Sequence, residues 1–117
     1  MSEYVQVQVA VDERAKAAEL AASAVRARLA ACVQIVGPVT SVFRWKGEVE
    51  TAEEYLLLIK TTQERSGELS EHIRRAHPYE TPEIILLPVE GGLPAYLRWI
   101  DEETSPDPEG QERATGG

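Results

Sequence analysis

Residues 32–61 read Cys-Val-Gln-Ile-Val-Gly-Pro-Val-Thr-Ser-Val-Phe-Arg-Trp-Lys-Gly-Glu-Val-Glu-Thr-Ala-Glu-Glu-Tyr-Leu-Leu-Leu-Ile-Lys-Thr, and they decide the fold. Val33 and Ile35 precede Gly37-Pro38, and Val39, Val42, Phe43 and Trp45 follow it, the pattern of a strand interrupted by a bulge or bend. Lys46-Gly47 supplies a turn and Glu48 to Thr61 runs back, so the stretch predicts one long hairpin. Its return strand does not alternate, because Tyr55-Leu56-Leu57-Leu58-Ile59 is apolar on both sides. Such a strand wants cover on both faces of its sheet, and the chain has helix enough for one. The second face is therefore expected to pack on another copy of the chain, since an uncovered patch of that size invites aggregation.

Working outward, Tyr4 to Ala10 alternates with period two and predicts a half-buried strand with Val5, Val7 and Val9 on one face. Asp12 suits an N-cap, and Glu13 to Ala30 predicts a helix with Ala15, Ala18, Ala22, Val25 and Leu29 as its apolar stripe. On the other side of the hairpin, Thr62 or Ser66 caps a helix to about Ala76 that turns Leu69, Ile73 and Ala76 inward. Pro78 and Pro82 then push His77 and Thr81 towards extended geometry, so His77 to Glu83 is a stiff junction. Ile84 to Val89 is a fourth strand, and Pro94 suits the first turn of a helix from Leu93 to about Glu103 with Leu97 and Ile100 inward. The order strand, helix, strand, strand, helix, strand, helix is that of an α+β, ferredoxin-like βαββαβ sandwich with a long central hairpin and a short C-terminal helix. Residues 1–103 form this domain, and 104–117, rich in Pro, Gly, Asp, Glu, Thr and Ser, read as a disordered acidic tail.

The 117 residues suffice for one core and carry a net charge of −8. Six acids against Arg113 alone concentrate that charge in residues 101–117. An acidic body with no Lys/Arg cluster excludes nucleic acid as the expected partner. No apolar run approaches the roughly 20 residues of a membrane helix, and the N-terminus lacks the basic and apolar segments of a signal peptide. A cytoplasmic location is expected, consistent with Cys32 as the only cysteine.

Cys32 reads first as a small buried apolar residue and second as a soft ligand for copper(I) or zinc. His72 reads as a solvated helix residue. His77, held by Pro78, can cap carbonyls, take a proton or bind metal. Glu80 and Glu83 form a carboxylate pair of the kind usually left in solvent. Phe43, Arg44, Trp45 and Lys46 can hold an anion or a flat ligand, or pack against a neighbouring subunit. No G-x-S-x-G, phosphate loop or H-E-x-x-H occurs, so no enzyme is expected.

Leu29-Ala-Ala-Cys-Val33, Ser41 to Glu50, Leu58-Ile-Lys-Thr-Thr62, His77-Pro-Tyr-Glu-Thr-Pro-Glu83 and Tyr96-Leu-Arg-Trp-Ile100 together resemble the CutA family of divalent-cation tolerance proteins over residues 4–102. The resemblance implies a homotrimer assembled like the PII signalling proteins, with hairpins joining subunits. It implies a role in tolerance of copper or another divalent metal, with Cys32 and His77 as metal candidates. Trp45, Lys60, Tyr79, Glu83 and Trp99 match motif positions and are assigned to an intersubunit pocket. The alternative it carries is a PII-like signalling module that binds a small anionic ligand between subunits and acts on a partner protein.

Overall fold

The computed structural model describes residues 3–106. Its elements are β1 (Tyr4–Val11), α1 (Arg14–Arg26), β2 (Cys32–Trp45), β3 (Glu48–Thr62), α2 (Gln63–Ala76), β4 (Ile84–Val89) and α3 (Pro94–Thr104). The strands form one antiparallel sheet in the order β2-β3-β1-β4, the α+β ferredoxin-like arrangement that the element order predicts. Alternation in β1 sends Val5, Val7, Val9 and Val11 to one face, where they lie opposite Thr61, Ile59, Leu57 and Tyr55. Leu20 of α1 and Leu69 and Ile73 of α2 close over these rows to make the core.

β2 and β3 run 14 and 15 residues, but β1 reaches only as far as Tyr55. Residues 48–54 therefore pair with β2 alone, and the hairpin overhangs the sheet by about 24 Å at the usual rise per residue. Lys46 and Gly47, with φ of 50° and 83°, give its tip the doubly left-handed turn that matches strand twist. The expected bulge is present, since the register shifts between Val36 and Val39, where the Gly37-Pro38 bond is cis. Gly37 has φ of 153°, and a Cβ there meets Tyr55 Cδ2 at 2.7 Å and the Glu54 carbonyl oxygen at 3.0 Å. Gly37→Ala is expected to lower stability by about 2–4 kcal/mol, because strain and overlap fall on a position backed by main chain. Urea unfolding reads this, and a cost below about 1 kcal/mol contradicts it.

α1 departs from expectation in cap, phase and length. Glu13, not Asp12, is the N-cap, and its side chain makes no cap bond. Ala17, Leu20 and Ala24 face the core, while Ala15, Ala18, Ala22 and Val25 are exposed. With alanine on almost every side, the periodicity leaves the phase open, and the one large central side chain, Leu20, sets it. The helix stops at Arg26 because Arg28 adopts φ of 60°. Its N–H bonds Val25 O and that of Leu29 bonds Ala24 O, a Schellman closure with arginine where glycine is usual. The same arginine holds that strained backbone by donating through Nε to Ser105 O and through Nη2 to Glu102 O at the end of α3.

α2 starts as predicted, with Thr62 Oγ1 accepting from the Arg65 N–H. Ala76 is exposed rather than inward, and Ser66 takes a buried place. His72 is not a solvated residue: it is half-buried, with Nε2 2.7 Å from Ser23 Oγ, tying α2 to α1. α3 supplies the cover that the apolar pattern did not foresee. It packs on the face opposite α1 and α2, burying Ile100 and Thr104, and Tyr4 Oη donates to Asp101. That bond pushes the Tyr4 phenol up to about 12. Thr104 therefore closes the helix one residue inside the segment expected to be tail, and 107–117 lie outside the described residues. Only one end of the second face is covered, while Ile85 and Leu87 of the edge strand β4 stay 47 % and 39 % exposed on it.

Candidate functional site

The stiff junction after α2 is pinned by His77. This imidazole is buried, its Nε2 is 2.7 Å from Ala10 O, and its Nδ1 accepts from the Tyr79 N–H at 3.0 Å. Because Nδ1 accepts a backbone N–H, the neutral ring carries its proton on Nε2 and donates it to Ala10 O. Both nitrogens are committed, so His77 holds the chain rather than a metal in this geometry. Its ring lies 4.8 Å from that of Tyr79, and Tyr79 Oη donates to Glu54 Oε2 at 3.0 Å. Burial, reinforced by the Glu54 carboxylate, pushes the Tyr79 phenol well above its ordinary range, so it stays a neutral donor.

Fixed in this way, Tyr79 forms one wall of a cleft of about 640 Å³ between the overhanging hairpin and the junction. Phe43, Trp45 and Glu50 of the hairpin face Tyr79, Glu80, Thr81, Pro82 and Glu83. Phe43 stands opposite Glu50 in the ladder, which places ring and carboxylate side by side. Glu83 is aimed by Gln8, whose Nε2 donates to Glu83 Oε2 at 3.0 Å. Three carboxylates and three aromatic rings line the cleft without a single Lys or Arg. Arg44 is not among the lining residues and donates to Gly47 O, and Lys46 Nζ sits 5.9 Å over the Trp45 ring. Such a lining attracts cations and repels anions.

Of the residues assigned to an intersubunit pocket, Trp45, Tyr79 and Glu83 meet in this cleft, and Lys60 and Trp99 lie elsewhere on the same subunit. Lys60 lies opposite Cys32 in the ladder and donates to Gln34 Oε1 at 2.6 Å. Tyr96 of α3 approaches Cys32; burial first, and the sulfur second, raise the Tyr96 phenol. Trp99 lies with its ring tilted against that of Tyr96, centroids 5.4 Å apart, in the same cluster. The two metal candidates are also apart. Cys32 faces Lys60 and Lys60 faces Gln6, whereas His77 meets Ala10, four residues further along β1, about 13 Å along the strand direction and two strands across from Cys32. Among the described residues no three His, Cys, Asp or Glu side chains converge as a metal site. Glu50 escaped the sequence reading, although the two-residue turn at Lys46-Gly47 fixes the register that puts it beside Phe43.

The CutA1 divalent ion tolerance protein family matches residues 5–103. The divalent-cation tolerance protein CutA of Thermus thermophilus is 44 % identical over 104 residues, spanning 89 % of this chain and 99 % of the relative. Protein CutA of Mus musculus is 46 % identical over 88 residues, 75 % of this chain, but the chain spans only 50 % of that relative's length. The same holds for the chloroplastic protein of Arabidopsis thaliana, of which 54 % is covered. Among solved structures, the Thermus thermophilus protein superposes with a TM-score of 0.85 at 42 % identity, over 87 % of this chain and 99 % of the other. CutA1 from Oryza sativa gives 0.86 at 39 % identity, over 89 % and 95 %. Matched over residues 5–103 in sequence and by solved structures in architecture, the chain belongs to the CutA1 family of divalent-ion tolerance proteins.

Proposed function

We propose that this chain serves divalent-cation tolerance by binding rather than by catalysis, as a homotrimer whose cation-attracting surface is the cleft of Glu50, Glu80 and Glu83. The observation that carries the reading is a lining with three carboxylates and no basic side chain. Oxygen donors suit hard or borderline divalent ions. Since no three such ligands converge among the described residues, the ion keeps much of its water or takes further ligands from another copy. The same lining speaks against the PII-like alternative of a small anionic ligand at this place. Copper at Cys32 needs ligands other than His77, which is distant and engaged. The exposed apolar strand β4 and the overhanging hairpin support self-association, and the half-covered sheet face supports a closed assembly over a monomer.

Native mass spectrometry with manganese(II), zinc(II) and copper tests both parts together. The expected result is three subunits whose uptake of manganese or zinc weakens about tenfold in Glu80→Gln/Glu83→Gln and is unchanged in Cys32→Ser. Uptake lost in Cys32→Ser and retained in the double variant overturns the carboxylate assignment in favour of the thiol.

A further inference from the structure

A metal ion leaves most of this cleft unexplained. An ion with six waters fills about 180 Å³ at the roughly 30 Å³ each water occupies in the liquid. The cleft holds about 640 Å³, a size typical of small-molecule sites. Its walls are also wrong for a hydrated ion alone. Within one subunit Phe43 and Trp45 are 39 % and 46 % exposed, and a hydrated ion does not remove aromatic faces from water. Tyr79 is held at its backbone N–H and at its hydroxyl before anything binds, so no ordering cost remains for that wall.

We infer that the cleft takes a small organic ammonium, seated against the rings of Phe43, Trp45 and Tyr79 with its charge towards Glu50, Glu80 and Glu83. The inference rests on the reading of the cleft as a cation site and names a second class of cation for it. Aromatic faces attract an ammonium through the negative charge of their π systems, and the alkyl groups of the ligand cover apolar surface that an inorganic ion cannot. The structure already shows one such contact, the Lys46 ammonium 5.9 Å over the Trp45 ring. Carboxylates supply the counter-charge, and Lys46, which is not among the lining residues, shares the Trp45 ring with the ligand.

Isothermal titration of the full chain with choline, and with its uncharged carbon isostere dimethylbutanol, tests the inference. Choline is expected to bind in the millimolar range or tighter, and dimethylbutanol about tenfold more weakly. Trp45→Leu keeps apolar bulk without a π face and is expected to erase most of that preference; Glu83→Gln is expected to reduce it. Circular dichroism of both variants verifies the fold. Equal binding of the two probes, a preference that survives Trp45→Leu, or no binding of either because an adjoining copy fills the cleft, each overturns the inference. Native mass spectra with manganese(II) separate it from the metal reading: metal uptake without choline binding sinks the ammonium alone, and choline binding without metal uptake sinks the metal alone.

Discussion

Ile59→Ala is expected to lower the unfolding free energy by about 4 kcal/mol, and Ile59→Val by about 1 kcal/mol. Ile59 is fully buried on β3, with Val7 beside it on β1 and Val33 beside it on β2. β3 is hydrogen-bonded on both sides, so the backbone cannot move in to close the space left by a truncated side chain. Leu20, Leu69 and Ile73 belong to the same cluster and are anchored on helices that His72 and Ser23 tie together. Three lost carbons therefore leave a cavity as well as a transfer cost. Against a typical domain stability of about 5–15 kcal/mol, the loss is a large share of the total. Val49→Ala, at a position 68 % exposed on the overhanging hairpin, is the control and is expected to cost under about 0.5 kcal/mol. Urea unfolding followed by circular dichroism compares the three. If Ile59→Ala matches Val49→Ala, the core does not sit where the two helices close on β3.

What the sequence made legible follows the physics of each signal. Gly-Pro and Lys-Gly are local punctuation, so the bulge and the hairpin turn were readable residue by residue. Thr62 was readable as a cap for the same reason. The phase of α1 was not, because an alanine helix offers several equivalent stripes and only packing chooses one. The end of α1 was hidden more deeply: Arg28 adopts a left-handed backbone held by bonds to residues 74 and 77 positions away, and no local pattern reports them. At the site, the stiffness of His77 to Glu83 was visible in its prolines. That both nitrogens of His77 are consumed depends on Ala10, far along the chain. Motif matching brought Trp45, Tyr79, Glu83, Lys60 and Trp99 into one pocket, since motifs carry no distances. Within one subunit they form two groups, an acidic aromatic cleft and a cluster around Cys32, and the pocket the motifs imply lies between subunits.

Ile85→Lys/Leu87→Lys is expected to convert the proposed trimer to folded monomers. Both residues lie on the face left open by α1 and α2, opposite Gln8 and Gln6 of β1. Among the described residues β4 pairs only with β1, so its outer edge presents backbone groups beside apolar side chains. An edge of that composition persists in a soluble protein when another chain covers it. Two lysines there place like charges across a closed interface and must be desolvated for it to form, a penalty of several kcal/mol per buried ion. The subunit itself loses little, since the wild-type side chains are already about half exposed within it. Val25→Lys, at an exposed position on α1 and away from this face, is the control and is expected to leave assembly unchanged. Sedimentation velocity reads the mass and circular dichroism the fold. A trimer that survives both lysines moves the interface off β4. A wild-type monomer removes the argument at its root, because the apolar return strand that predicted a second copy then has its cover from α3 alone.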